Sequence, residues 1–413
     1  MSNRIVGLIL LLTILTQVNN NAFSQVNDDD LYIFGFSQII FNHRQLDSNI
    51  YPNTLFPAGY SISSKTSTFA LHQVNLFFQK SINNKTTFFL NFEASGSYSS
   101  RLPSGEFEIP EGWISFKLNE NLLLKTGLLL PKFNNLTEIK NRLPLFPYII
   151  RPIVYETLFS NIFKPEDYKP QNAYVQLSGS NNVFKNYIFD YAFYIGNAEN
   201  SFLSSIRSNE LGAEEENTTL YRGENLNTAL LFGGRIGIEN FISTKKMGVS
   251  FTFDEDNKTK TENSVFRLPQ LTTPVLGEVA RYRLGVDLSF TIKNFSFESE
   301  YMGAFHDHSK IRKKEAFRTA KLNKYFFYGN LTYDFSEKLY AFGYYSTNKD
   351  YTYEFVAPNS PSRAGINIIS LGGGWRINEV TAFKLQLLRS SLNKNEYLEY
   401  NFNMLTVGIS TIF

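Results

Sequence analysis

The segment from Arg281 to Lys293, RYRLGVDLSFTIK, alternates strictly between two kinds of side chain. Its even positions hold only large apolar residues, and its odd positions hold only glycine and polar or charged residues. Because successive side chains of a β-strand point to opposite faces of a sheet, the segment predicts a strand with one apolar and one polar face. A soluble β-sandwich would give the same alternation, but a second sheet would then have to cover every apolar face.

The same period of two recurs along the chain and predicts an all-β fold of about sixteen strands. We expect the strands at residues 31–41, 68–80, 86–98, 106–118, 122–131, 172–180, 187–197, 229–241, 247–257, 282–293, 295–307, 324–336, 339–351, 364–378, 381–392 and 400–413. An even number suits a single-chain transmembrane barrel, in which every strand pairs with two neighbours and no edge is left open.

The connections between these segments alternate in length. The short ones are residues 81–85, 119–121, 181–186, 242–246, 294, 337–338 and 379–380; the longer ones are 42–67, 132–171, 198–228, 258–281, 308–323, 352–363 and 393–399, with 99–105 intermediate. Short turns on one rim and long loops on the other are typical of a transmembrane barrel. The predicted fold class is therefore a transmembrane antiparallel β-barrel.

The beginning of the chain predicts export. Residues 1–4 include a basic residue, residues 5–16 are an unbroken apolar run, and Ala22-Phe23-Ser24 is a small-x-small cleavage pattern. This is the order of a secretory signal peptide, and the apolar run is shorter than the roughly 20 residues of a membrane-spanning helix. We therefore expect a signal peptide at residues 1–24 and a barrel at residues 25–413.

Composition excludes several classes of protein. The chain has no cysteine, which excludes disulfides and thiol catalysis, and its net charge of +2 gives no strong field for nucleic acid. Aromatic residues make up 16%, charged residues 19%, and the mean hydropathy is −0.22. These values suit strands that face lipid on one side and water on the other. We predict no metal site, no cofactor and no enzymatic activity.

The longest unusual connection is residues 132–171. It holds five prolines, which prevent a central strand or a long helix from running through it. It is also rich in Leu, Ile, Phe and Tyr, unlike a disordered linker. A long, apolar loop among strands predicts a segment that folds into a hollow interior and packs there.

The chain ends in Phe413, and Ile409, Val407 and Leu405 share its predicted outward face. Before Leu405 the pattern slips, because the apolar residues at 400, 402 and 404 fall on the inward face. A terminal Phe after alternating apolar residues resembles the C-terminal signature of bacterial outer-membrane proteins. The barrel-assembly machinery that reads this signature is therefore an expected partner.

The mature chain as a whole resembles a sixteen-stranded Gram-negative outer-membrane porin. The sequence RPIVYE, Arg151 to Glu156, follows the strand LLLKTGLLLPKF in a proline-rich loop and is similar to the phosphate-selective (O/P-type) porin group. The resemblance implies that residues 132–171 are the third external loop, which folds into the lumen and sets its constriction. It also implies a homotrimer in the outer membrane, with lipids and small hydrophilic solutes or anions as partners.

Parity along the strands predicts which charged side chains face the lumen. The expected pore-lining residues are Lys117, Lys125, Arg235, Arg281, Arg283, Asp287, Glu298, Glu300 and Lys384, together with Glu93, Asp190 and Glu239. Such a mixture of signs discriminates weakly between ions. The loop carries a surplus of positive charge, so we predict a mild anion preference.

The loop also supplies the candidates for the narrowest point. We expect the constriction to be formed by Arg142, Arg151, Glu156 and Lys140. Alternatively, one of the two arginines tethers the loop to a wall carboxylate such as Glu298 or Glu300.

Three functions remain open from the sequence. The first is a diffusion channel for small hydrophilic solutes, and the second is a substrate-specific anion or phosphate channel. The third is a plugged barrel that acts as a surface receptor or adhesin. The inward aromatic residues look scattered, which argues against an oligosaccharide channel.

Overall fold

The computed structural model describes residues 31–50, 60–96, 105–139, 142, 145–156, 172–184, 186–198, 230–240, 244–256, 279–307, 323–350, 365–392 and 398–413. The predicted signal peptide and Lys140 lie outside these residues, so their predictions stay predictions.

The described residues form sixteen strands and one short 3-10 helix, Ile153–Tyr155. The strands are β1 (Leu31–Ile50), β2 (Tyr60–Asn83), β3 (Thr86–Ser95), β4 (Glu106–Asn119), β5 (Leu122–Leu129), β6 (Asn172–Phe184), β7 (Tyr187–Asn197), β8 (Leu230–Asn240), β9 (Lys245–Asp256), β10 (Val279–Ile292), β11 (Phe295–Asp307), β12 (Asn323–Asp334), β13 (Leu339–Asp350), β14 (Gly365–Arg376), β15 (Thr381–Leu392) and β16 (Leu398–Ile412).

The strands close into a single antiparallel barrel in which each pairs with its neighbours in sequence. The closure is the pairing of β1 with β16, with Phe36 opposite Ile412. Phe413 extends this seam, because its N–H donates to the Gly35 carbonyl at 2.9 Å and its carbonyl accepts from the Gly35 N–H at 2.8 Å. The predicted barrel and its strand number are confirmed.

The predicted alternation of connections is also confirmed. The connections after β2, β4, β6, β8, β10, β12 and β14 are short turns, and those after the odd-numbered strands are longer. The short turns therefore share one rim, and the long loops share the other.

The first hairpin differs from the prediction. The sequence pattern predicts that β1 ends at residue 41 and that β2 begins at residue 68, but the two strands stay paired up to Ile50 and Tyr60. Polar residues occupy both faces of most of this extension, where Asp47 accepts hydrogen bonds from Gln45 and Ser63. The period of two that marks a half-buried strand is therefore missing there.

The alternation in β10 has the predicted physical form. Leu284 and Val286 are each 48% exposed on the outer surface, whereas Arg281 and Arg283 are fully buried on the inner one. Large exposed apolar side chains recur on the outside of the other strands and form a continuous belt. A belt of this size is what lipid hydrocarbon requires and water disfavours. No helix within the described ranges has the length and apolar character needed to cross a membrane.

The described residues between 133 and 156 lie inside the barrel and pack on its inner wall. This loop contributes Phe133, Leu136, Phe146, Tyr148, Ile149, Ile150, Ile153, Val154 and Tyr155 to one apolar cluster, and the wall contributes Ile40, Met302, Phe326, Tyr328, Tyr340, Phe342, Tyr344, Ile366, Ile368, Leu388, Phe402 and Met404. Each fully buried side chain of this size contributes about 1.5–3 kcal/mol, so the loop is a packed element of the fold. The pattern slip in β16 is explained, because Phe402 and Met404 face this loop.

Candidate functional site: the loop inside the barrel

The loop begins at a close contact with the wall of β9, β10 and β11. The backbone N–H of Asn134 donates to Ser250 Oγ at 2.9 Å, and its side-chain amide donates to the Tyr301 carbonyl at 3.3 Å. Asn134 has a φ of 60°, and a Cβ atom at Gly285 would overlap its amide oxygen. Gly285 therefore provides the space through which the loop approaches the wall.

Two carboxylates of β11 bind the loop. Glu300 accepts a hydrogen bond from the Leu136 N–H at 2.7 Å and another from the Tyr155 hydroxyl at 2.6 Å. Glu298 accepts one from the Tyr148 hydroxyl at 3.2 Å. Burial and these carboxylates raise the pKa values of Tyr148 and Tyr155 well above the ordinary tyrosine value, so both hydroxyls remain donors.

Polar side chains of β13 and β15 bind the loop backbone further along. Gln386 Oε1 accepts from the N–H groups of Ile149 and Ile150, each at 2.7 Å, and its amide nitrogen donates to Ser370 Oγ at 2.8 Å. Lys384 Nζ donates to the Phe146 carbonyl at 2.6 Å, and the Tyr340 and Tyr344 hydroxyls donate to the carbonyls of Pro147 and Ile150. The wall thus satisfies buried backbone groups of residues 146–150, a stretch with no helix or strand of its own.

Arg151 and Glu156 form a buried pair at the end of the described loop. Arg151 Nε lies 3.6 Å from Glu156 Oε2, and the Arg151 N–H donates to the same oxygen at 3.1 Å. His72 Nε2 of β2 lies 4.0 Å from Glu156 Oε1. Burial alone would raise the pKa of Glu156, but Arg151 and His72 overcome that effect and lower the pKa to about 2. Glu156 is therefore ionised at neutral pH.

The structure does not support the alternative in which an arginine tethers the loop to Glu298 or Glu300. Those two carboxylates accept hydrogen bonds from tyrosine hydroxyls and from a backbone N–H. Arg151 pairs within the loop, and the guanidinium of Arg142 lies 5.5 Å from the ring centre of Phe77 on β2. The negative charge of Glu298 and Glu300 made an arginine the expected partner. In the structure, tyrosine hydroxyls of the loop bind these two carboxylates instead.

The other predicted pore-lining charges fall into two groups. Arg235 binds Asp287 at 2.8 Å and Asp190 at 2.5 Å, Arg281 binds Asp254, and Arg283 Nη1 lies 3.7 Å from the same aspartate. Lys117 is different, because it is exposed at the short-turn rim and binds Glu120 at 3.0 Å. Three of the six predicted inward basic groups, Arg235, Arg281 and Arg283, are thus held by aspartates of nearby strands.

A set of charged side chains inside the barrel keeps partial exposure. On the wall these are Glu93 of β3, Lys125 of β5 and Asp190 of β7, and on the loop they are Lys132, Glu138 and Arg142. Lys125 Nζ lies 4.3 Å from the ring centre of Trp113 and interacts electrostatically with Glu138, Glu111, Lys132 and Arg142. The inward charges of β10 and β15 are instead buried, as Arg281, Arg283 and Lys384 show. The partly exposed charges therefore lie between the loop and the wall of β3 to β7.

Sequence reasoning missed Gln386, Asn134, Ser250 and Tyr344 as residues that fix the loop. It also took the inward aromatic residues to be scattered, whereas Tyr328, Tyr340, Phe342 and Tyr344 gather under the loop. The sequence did contain a signal for this covered wall, because β12 to β16 carry apolar residues on both faces. In a barrel with a wet lumen, such residues mark a wall that something else covers.

Comparisons with known proteins agree on the fold. No family model matches the chain, and no curated protein matches its sequence. Among solved structures, the outer membrane channel DcaP of Acinetobacter baumannii is 8% identical with a TM-score of 0.54, covering 95% of this chain and 99% of that one. OmpF of Salmonella typhi in complex with daunomycin is 13% identical with a TM-score of 0.52, covering 94% and 99%. An anion-selective porin from Comamonas acidovorans is 11% identical with a TM-score of 0.51, covering 93% and 100%.

The chain has the fold of outer-membrane porins. At these identities the likeness extends to the architecture alone, and membership of the O/P-type group stays a prediction.

Proposed function

We propose that this protein is an outer-membrane porin of a Gram-negative bacterium that forms a water-filled channel for passive diffusion of small hydrophilic solutes. The observation that carries the proposal is the one-sided packing of the loop. Among the described residues, its apolar cluster lies on the wall of β1 and β11 to β16, and the partly exposed charges of the loop and of β3 to β7 lie outside that cluster. Hydrated solutes would pass between these two charged surfaces.

The charges around Lys125 support a mild anion preference, whereas over the whole partly exposed set Glu93, Glu138 and Asp190 balance Lys125, Lys132 and Arg142. Lys125, Lys132 and Arg142 stand against Glu111 and Glu138, a surplus of one positive charge among groups that interact with Lys125. Because both signs are present at close range, the field orients dipolar solutes and selects weakly between ions. Arg142 is our candidate for the constriction, whereas the buried pair of Arg151 and Glu156 is better suited to fixing the loop.

A substrate-specific anion or phosphate channel is a second candidate. Phosphate recognition favours arginines with free bidentate geometry. Arg235 and Arg281 already bind aspartates through their guanidinium groups, which makes this candidate the weaker one.

A plugged barrel that serves as a surface receptor or adhesin is the third candidate. The packed cluster under the loop favours it, because a loop held this firmly would block a passage if it also reached the opposite wall. No catalytic role is proposed for any of the three.

Single-channel recording in planar bilayers separates the candidates. The diffusion channel predicts stepwise openings in KCl, and a KCl gradient should give a reversal potential of the sign for anions. The substitutions Arg142→Glu and Lys125→Glu should each shift that potential toward cations, whereas Lys338→Glu, in a short turn at the rim, should leave it unchanged. Silence from folded protein would support the plugged barrel, and cation preference in the unsubstituted protein would contradict the charge argument.

The assembly and targeting of the protein belong to the same proposal. We expect cleavage of residues 1–24, insertion by the barrel-assembly machinery and a homotrimer in the outer membrane. Phe413 supports the second expectation, because its backbone hydrogen bonds lie in the seam that closes the barrel.

A further inference from the structure

A groove on the outer surface of the barrel has no role in the proposed passage. It holds about 330 Å³ and lies across β1, β14, β15 and β16. Its apolar lining comes from Ile369, Leu371, Leu387 and Leu405, and its polar lining includes His43 and Arg389. The volume is within the range of small-ligand sites.

The register of the strands shows that the groove changes from apolar to polar along the strand direction. Leu371 pairs with Leu387, Leu387 with Leu405, and Leu405 with His43, which makes one row across four strands. The row toward the long-loop rim pairs Ile369 with Arg389, Arg389 with Asn403, and Asn403 with Gln45, and then reaches Lys65. The groove is therefore apolar toward the middle of the belt and cationic at its external end.

The side chains of this groove are available to a ligand. Leu371 is 60% exposed, Leu387 is 55% exposed, and Arg389 is exposed. Within the described part of the chain, no ion pair involves Arg389. Asp47, which pairs with Asn401 one row closer to the long-loop rim, already accepts hydrogen bonds from Gln45 and Ser63.

We propose that this groove binds a phosphorylated lipid of the external leaflet, with its acyl chains on the apolar floor and its phosphate on Arg389. The inference rests on the proposed location in the outer membrane. The groove complements such a lipid along the membrane normal. Its apolar surface lies at the depth of the acyl chains, and its cations lie at the level of the phosphate. A guanidinium is also the side chain best suited to a phosphate.

A second copy of the chain fits the groove less well. Another barrel would bring its own convex apolar belt, which would leave a concave floor partly empty. A lipid chain can follow the concave surface, and its phosphate complements the charge at the rim.

The test uses the refolded mature protein in detergent with diphosphoryl lipid A as the probe. Retained lipid is counted by native mass spectrometry, and the thermal midpoint is followed as lipid is added. Arg389→Gln should weaken retention about tenfold, the usual value of a charge-assisted hydrogen bond. Leu387→Trp should also weaken retention, because the indole fills the groove. The matched control is Lys349→Gln, an exposed outward cation at the external end of β13, which should retain lipid normally.

Two results would overturn the proposal. One is equal lipid retention by all three variants. The other is a change in the number of protomers in Arg389→Gln or Leu387→Trp with lipid retention unchanged, which would assign the face to a second copy. Conductance in bilayers free of lipid A tests the proposed channel separately from the proposed lipid site. In such bilayers Arg389→Gln should conduct like the unsubstituted protein, whether or not the groove binds lipid.

Discussion

At the scale of single residues, the contact of Gly285 with Asn134 fixes where the loop leaves the wall. We predict that Gly285→Ala loosens the loop, because the new Cβ atom would overlap the Asn134 amide oxygen. The expected cost is about 1–3 kcal/mol, seen as a lower unfolding midpoint and as noisier open-channel current. Adding Asn134→Gly should restore most of both values, since glycine accepts a φ of 60° and removes the overlapping atom, at the loss of the hydrogen bond to the Tyr301 carbonyl. A double variant as unstable as the single one would contradict this contact.

The buried pair of Arg151 and Glu156 gives a prediction with a definite pH dependence. The folded-state pKa of Glu156 is lowered to about 2, so its stabilising effect is complete above the ordinary glutamate value and is lost as the pH falls toward 2. Glu156→Gln should therefore be less stable than the unsubstituted protein at pH 7, by up to about 3 kcal/mol. The difference in thermal midpoint should shrink between about pH 4.5 and 2. A difference that grew with acid would have the wrong sign.

At the scale of elements, the loop depends on Gln386 of β15. Gln386→Leu should leave the N–H groups of Ile149 and Ile150 buried without an acceptor, at about 1–3 kcal/mol for each group. We expect frequent transitions between conductance levels in single-channel records. Gln386→Glu keeps the acceptor and should show a smaller effect, and Leu385→Ala, on the outward face of the same strand, should record like the unsubstituted protein. Unchanged records from Gln386→Leu would show that the loop is held elsewhere.

The barrel could be read from the sequence because lipid and water impose a period of two on every strand. The segment from Arg281 to Lys293 shows this most clearly, and its two faces lie as predicted. The inward folding of the loop was also predictable, from apolar residues that lack any other place to pack. Its anchors were not, because Gln386 and Ser250 are ordinary polar residues until the register brings them to the loop backbone. The alternation along a strand predicts whether a charged side chain points inward or outward. Its ion-pair partner depends on the register between strands that are far apart in sequence.

At the scale of the whole molecule, the central claim is an open passage on one side of the loop. The chain has no cysteine, so a single introduced thiol reports on its own position. Glu93→Cys and Lys125→Cys place it among the partly exposed charges, and Ser370→Cys places it under the loop, where Ser370 is 1% exposed.

The most direct measurement is the conductance of these three variants before and after a charged methanethiosulfonate reagent is added from water. An open passage on this side of the loop predicts a stepwise fall in current for Glu93→Cys and Lys125→Cys, and no change for Ser370→Cys. Modification of Ser370→Cys with silence from the other two would contradict it, because the solute path would then run along the wall that the loop covers.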